Sequence, residues 1–299
     1  MPAATTHAAF ALDALRIKPA LQRQVSDRMM FTTGAQGPDL LFFSHMSVLP
    51  GSLKKYGNLM HEHKIWEVIH FFEKYCINDP ELWSYFIGYL CHYALDRNVH
   101  PLVYAVTDQM MKDTGKSEGE LHTANESEID VWILHQRGRL ISDYDVYKYL
   151  DINASQRHKL AVMYHKMFRQ GFGIEIPVKK LEHGFREIYI WTRALAPDKT
   201  KHAVLYAAES LTRNHFVTAM MLYDTKPGAV INLEHKTYTT PWQTEINESF
   251  PALYGHAITY ADRIIAHHEK ADFDLDFLRQ ACNRLRAVYC RSFFLHGRH

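Results

Sequence analysis

Three side chains with strong metal-binding chemistry stand four residues apart in Cys91-His92-Tyr93-Ala94-Leu95-Asp96-Arg97-Asn98-Val99-His100-Pro101. Residues four apart share one face of an α-helix, so His92, Asp96 and His100 project together. The preceding run, Trp83-Ser-Tyr-Phe-Ile-Gly-Tyr-Leu-Cys91, is apolar nearly all round, the pattern of a helix inside a bundle. An unpaired buried carboxylate is very costly, and a bound cation is the simplest partner for this set. At ~1.5 Å rise per residue, His92 and His100 lie roughly 12 Å apart along the axis and can hardly share one ion. Asp96, between them, is able to bridge two.

More nitrogen and oxygen donors flank this helix. His7 lies on the first predicted helix, and Asp39 follows the turn Gly37-Pro38. His61 stands in Met60-His61-Glu62-His63, where His63, and His45 further upstream, are rivals for the same role. His122 and Glu126 are again four apart on one helical face. All of these precede residue 127. Imidazole and carboxylate without thiolate suit zinc in catalytic sites, which keep positions open for water.

The elements that must position these groups are helical. Apolar spacing predicts helices over 6–16, 19–30, 65–75 and the central segment, which Pro101 should end or kink. Helices are also predicted over 104–112, 121–134, 143–150, 155–171, 199–223, 253–270 and 275–294. Residues 50–60, with Pro50, Gly51 and Gly57, read as an irregular loop, so that His61 would open a helix after it. Residues 227–251, with Trp242, read as the longest irregular region. Strand signals are scarce, and 174–178 is the best of them. The expected class is all-α, a multi-helix bundle forming a single domain over 1–299, with the ligands in 1–126 and the helices of 127–299 completing the pocket.

Composition bounds the function. The chain has 299 residues, 47% hydrophobic and 22% charged, and a formal net charge of +1. A balance so near neutral gives no broad basic surface for nucleic acid or anionic lipid. Histidine is abundant, at 20 residues, while the four cysteines (Cys76, Cys91, Cys282, Cys290) form no C-x-x-C pair and read as reduced thiols. The first ten residues lack the basic start and apolar core of a signal peptide, and no run of 18 apolar residues suggests a transmembrane helix. These features together predict a cytoplasmic protein.

The ordered pattern His7, Gly37-Pro38-Asp39, Met60-His61-Glu62, Cys91-His92-x3-Asp96-x3-His100-Pro101 and His122-x3-Glu126 resembles the bacterial zinc-dependent phospholipases C, relatives of the trinuclear-zinc single-strand nucleases. The resemblance covers roughly the first half of the chain, and its order favours His61 over His63 and His45. It implies up to three zinc ions. One would be held by Asp39, His61, His92 and Asp96, a second by His100, His122 and Glu126. The third would use His7, Asp96 and the terminal amine and carbonyl of a processed chain. Here Pro2 would supply the amine once Met1 is removed. One turn separates Asp96 from His100, where the secreted members carry a longer insert. The implied activity is hydrolysis of a phosphodiester such as a glycerophospholipid, with Asp96 bridging two metals and Asp39 as ligand, general base or both.

Blander readings stand beside these. A helix triad such as His92, Asp96 and His100 also arises by chance, and His7 alone would be an ordinary surface histidine. His267, His268 and His296 read as surface or capping groups. Tyr85, Tyr89, Trp66 and Trp242 are first of all core residues, although the tryptophans could also line a head-group pocket. Two other functions fit the same ligands: a single-strand nuclease, which needs stacking platforms and a basic groove, and a metal-binding helical scaffold without turnover. An amine must be unprotonated to bind zinc. An N-terminal tag left in place should therefore lower turnover and remove about one zinc per chain, while a C-terminal tag should do neither. Equal zinc and equal turnover in the two proteins would remove the terminus from the site.

Overall fold

The computed structural model describes residues 4–47, 49–141, 147–211, 214–223 and 226–269. Its axis is one long helix, α6, after α1 (Ala4–Ile17), α2 (Pro19–Gln24), α3 (Arg28–Gly34), α4 (Lys54–Glu62) and α5 (Ile65–Cys76); α6 itself spans Pro80–Thr114. Asp79 starts α6 by accepting the backbone N–H groups of Glu81 and Leu82 at 3.0 and 3.2 Å, with Pro80 in the first turn, where its missing N–H costs nothing. Gly115 ends it in the left-handed region at φ 68°. Pro101 neither stops the helix nor separates 104–112 from it, contrary to the sequence expectation. A proline deletes only the hydrogen bond to the carbonyl four residues back, and α6 is held on several sides by other helices.

The closest neighbour of α6 is α3, and the approach is made by two glycines. A Cβ on Gly34 would fall 2.0 Å from the Tyr85 carbonyl oxygen, and one on Gly88 would fall 2.0 Å from that of Phe31. The predicted helix over 19–30 is broken into α2 and α3. Ser84 Oγ on α6 accepts the N–H groups of Ser26 and Asp27, each at 3.0 Å, and Asp27 then caps α3 through the N–H of Met30. A tertiary contact thus rewards the break.

The other elements wrap this pair. They are α7 (Glu118–Gln136), α8 (Tyr147–Leu150), α9 (Ala154–Met167), α10 (Val178–Ala194), α11 (Lys199–Ser210), α12 (Phe216–Ala219) and α13 (Phe250–Glu269). A two-residue pair, β1 (Tyr238–Thr239) with β2 (Glu245–Ile246), is the strand content among the described residues. The class is all-α, as expected. Residues 54–62 form α4 rather than a loop, and 174–178 form no strand but lead into α10. Helix α10 lies where the sequence suggested none; it buries Leu181, Phe185, Ile188 and Tyr189 at helical spacing. The long helix expected over 199–223 is broken after Ser210 and resumes briefly as α12. Of the helix expected over 143–150, residues 147–150 are helical, while 142–146 lie outside the described residues, as do the helix expected over 275–294, Cys282 and Cys290. No described helix is long and apolar enough to cross a membrane.

The α3–α6 crossing makes a direct prediction. Gly88→Ala should destabilise the protein by about 1–3 kcal/mol or more, because a backbone oxygen cannot move aside as a side chain would. Thermal melting of wild type and variant measures this, and an unchanged midpoint would mean that the helices separate freely.

Candidate metal centre

The inward face of α6 carries the centre. Asp96 is buried, and four imidazoles from three helices, α1, α4 and α6, surround its carboxylate. Oδ2 lies 3.2 Å from His92 Nε2, 3.6 Å from His100 Nδ1 and 3.7 Å from His61 Nε2, and Oδ1 lies 3.4 Å from His7 Nε2. Asp39 joins from the other side, 3.3 Å from His61 Nε2 and 3.8 Å from His7 Nε2. On α7, Glu126 Oε1 lies 3.2 Å from His122 Nε2 and 3.5 Å from His100 Nε2. All eight sequence candidates therefore meet in one region. His63 does not; its side chain is 49% exposed and faces Glu62. His45 stands elsewhere, beside Glu187. His61 closes α4 rather than opening a helix, so its place at the centre follows from the helix that the sequence reading missed.

Local backbone fits each ligand to its place. Gly37 takes φ 53°, and a Cβ there would fall 2.3 Å from the His92 ring. Only glycine lets this turn pass over His92 and set Asp39 beside His61. His61 Nδ1 lies 2.9 Å from the Gly57 carbonyl, one turn back in α4. A carbonyl can only accept, so Nδ1 carries a hydrogen and Nε2 is the nitrogen turned to the two carboxylates. That arrangement is expected of a metal-ligating histidine oriented by an outer hydrogen bond. Three further atoms point the same way. His7 Nδ1 and both ring nitrogens of His92 are buried without a hydrogen-bond partner. His92 Nε2 is close to Asp96 but out of line for a hydrogen bond, as two groups are when they share a cation.

The donors fall into three groups whose ligand atoms all lie within 4.8 Å of one another: His7, His92 and Asp96; Asp39, His61 and His92; and His100, His122 and Glu126. The third grouping is the one the resemblance implied, and the second holds three of the four donors implied for the first ion. In the first, His92 joins His7 and Asp96, stacking on His7 at 4.4 Å. Met1 to Ala3 lie outside the described residues. Electrostatics are severe in this space. Burial alone would raise the Asp96 carboxyl, yet His100, His92 and His7 hold it well below the usual carboxylate range. Glu126 is likewise held low against burial by His122 and His100. Burial, aided by His92, lowers His7 to about 4, whereas Asp39 overcomes burial to raise His61 to about 9.

A sequence profile of zinc-dependent phospholipase C matches residues 5–170, more than half of the chain and all eight candidates. The chain belongs to the zinc-dependent phospholipase C family. Membership makes it a hydrolase of that type and zinc its metal. No curated protein and no solved structure matches it significantly.

In this member of the family the centre opens into a cavity of about 330 Å³. Several wall residues escaped the sequence reading. Phe42, Lys54 and Asn58 come from or near α4, which was taken for a loop, and Phe216 comes from α12, remote in sequence. Tyr104 escaped it as well, although it stands four residues beyond His100 on the same helix. Its ring packs 5.6 Å from His100 and 5.1 Å from His122, with Trp242 6.3 Å behind it. Trp66 stacks on His70 instead. Asp130 was missed too, although it continues the spacing His122-x3-Glu126-x3-Asp130 on one face of α7. Its buried carboxylate accepts Thr6 N–H at 2.8 Å, Thr6 Oγ1–H at 2.6 Å and Thr5 N–H at 3.4 Å, pinning the start of α1 and hence His7 to the helix that carries Glu126.

Asp130→Ala leaves those donors buried and unpaired, at a cost of roughly 1–3 kcal/mol. Chemical denaturation of the zinc-free variant against zinc-free wild type checks this, and equal midpoints would mean that the clamp is idle.

Proposed function

We propose that the protein hydrolyses a phosphodiester of the glycerophospholipid kind between glycerol and phosphate. His7, Asp39, His61, His92, Asp96, His100, His122 and Glu126 would hold up to three zinc ions. The observation that carries this reading is the Asp96 carboxylate ringed by four imidazoles, with Asp39 and the His100–His122–Glu126 group beside it where a cleft begins.

Zinc bound there would acidify a water and neutralise phosphate oxygens. The chain supplies the rest. Asp96 is central enough to join two neighbouring donor groups. Asp39 is ionised and less deeply buried than Asp96, so its carboxylate can take the proton a water gives up as it attacks phosphorus. Lys54 stands at the rim, its ammonium 5.4 Å from the centre of the Phe216 ring, and offers a positive charge to an anionic ester. Phe42, Tyr104 and Phe216 line the cleft and exclude water from the bond that breaks.

The wall also carries Glu62 and Glu118, so the cleft lacks the basic character that a single-strand nuclease needs. A panel of phosphatidylcholine, bis-p-nitrophenyl phosphate and single-stranded DNA separates the readings, with hydrolysis of the first two expected. Turnover of DNA alone would favour the nuclease, and a zinc-loaded protein inert towards all three would favour the scaffold.

Asp96→Asn should lower zinc content and cut turnover by more than about a hundredfold, a loss that even outer-shell changes can reach. Elemental analysis with the same panel measures both. Full zinc and near-normal turnover would remove Asp96 from the bridging role.

A further inference from the structure

His45, the rival that the centre did not take, belongs to a second cluster. It lies in the turn Ser44–Ser47 against α10, where His183 and Glu187 are four apart on one face. The Glu187 carboxylate is 6% exposed, and among the described residues no lysine or arginine lies within 4 Å of it. One of its oxygens, Oε2, accepts the His45 backbone N–H at 2.7 Å. The other, Oε1, lies 3.8 Å from His45 Nε2 and 3.8 Å from His183 Nδ1, too far for a hydrogen bond to either. His45 Nδ1 lies 2.9 Å from the Pro50 carbonyl, so the hydrogen sits on Nδ1. Nε2 is then the nitrogen turned towards the Glu187 carboxylate. A ring with N–H on a backbone carbonyl and its other nitrogen facing a carboxylate is the pattern of a histidine waiting for a metal.

The backbone is committed to this arrangement. His45 and Met46 both adopt φ 51°, left-handed conformations that cost non-glycine residues of order 1–3 kcal/mol each. Gly184 lets α10 close on the turn; a Cβ there would fall 2.6 Å from Leu53 Cδ1 and 3.5 Å from Ser44 Cβ.

We propose that His45, His183 and Glu187 form a surface zinc site separate from the central one. Two imidazoles and a carboxylate are a zinc donor set that leaves a position for water. Each imidazole nitrogen lies 3.8 Å from the shared oxygen, near the ~3.4 Å separation of ligands around an ion with bonds of about 2.0–2.1 Å, while the two nitrogens stand more than 4.8 Å from each other. The histidine rings stand edge to face at 6.3 Å, and His183, with a side chain 63% exposed, is free to rotate and close that gap. The turn runs on into α4, which carries Lys54, Asn58 and His61 of the cleft. Zinc on His45 and His183 would clamp that wall to α10.

The test starts from the full chain with its central zinc in place. Added zinc is titrated into wild type, His183→Ala and Glu187→Gln, followed by gel filtration, elemental analysis and melting. Wild type should bind one equivalent more than either variant, and this equivalent should raise its melting temperature and protect residues 44–52 from proteolysis. Hydrolysis of bis-p-nitrophenyl phosphate before the added zinc should be the same in wild type and His183→Ala. Glu187→Gln alters a buried group and can fail to fold, but His183→Ala changes an exposed side chain and decides alone. An extra equivalent bound equally by His183→Ala, or by neither protein, overturns the proposal.

Discussion

A buried carboxylate crowded by imidazoles is the constraint on which the rest of this structure depends. Asp96 sits inside a helical core, and an ion there without compensation would be very costly. His7, His61, His92 and His100 surround it, yet their nitrogens meet it at 3.2–3.7 Å and in part out of line for hydrogen bonds. Neutral imidazoles cannot cancel a carboxylate, and four imidazolium ions in one space would repel one another. Zinc resolves both problems, because it takes lone pairs from the rings and charge from the acids. Family membership and local geometry therefore point to the same metal by independent routes.

The scaffold is built to hold that arrangement still. Helix α6 spans the core and carries three of the eight donors, while α3 is locked against it through glycine contacts that tolerate no side chain. Helix α7 brings Glu126 and His122, fastened to α6 where Asn125 Nδ2 donates to Thr107 Oγ1 at 2.9 Å. Asp130, one turn on, seats the first turn of α1 and with it His7. Each donor thus rides on an element anchored by at least one further contact, as preorganised metal sites require.

Helix α4 is the connecting piece between chemistry and pocket. It supplies His61 to the centre and Lys54, Asn58 and Glu62 to the cleft. The turn before it is strained and lies on α10, from the part of the chain beyond the family match. The C-terminal portion contributes in the same way through Phe216 and, behind Tyr104, Trp242. The cleft is therefore walled by segments far apart in sequence, whereas the candidate donors come from the first part alone.

The sequence by itself determined the class and singled out the candidate donors. The spacing of His92, Asp96 and His100, and of His122 and Glu126, is a property of helical geometry and needs no tertiary information. The order of motifs favoured His61 over His63, and the fold brings His61 rather than His63 beside Asp96. Tertiary structure alone decided which donors share a group, because His7, Asp39 and His61 reach Asp96 only after distant segments pack together. It also decided that α6 runs through Pro101 and that 19–30 breaks where Ser84 captures two backbone N–H groups, whereas 178–194 carries its own helical apolar spacing. Local propensity is worth tenths of a kcal/mol per residue, and contacts with other helices override it. His45 shows the same limit: as a sequence it was a spare histidine, and only the approach of α10 gave it Glu187.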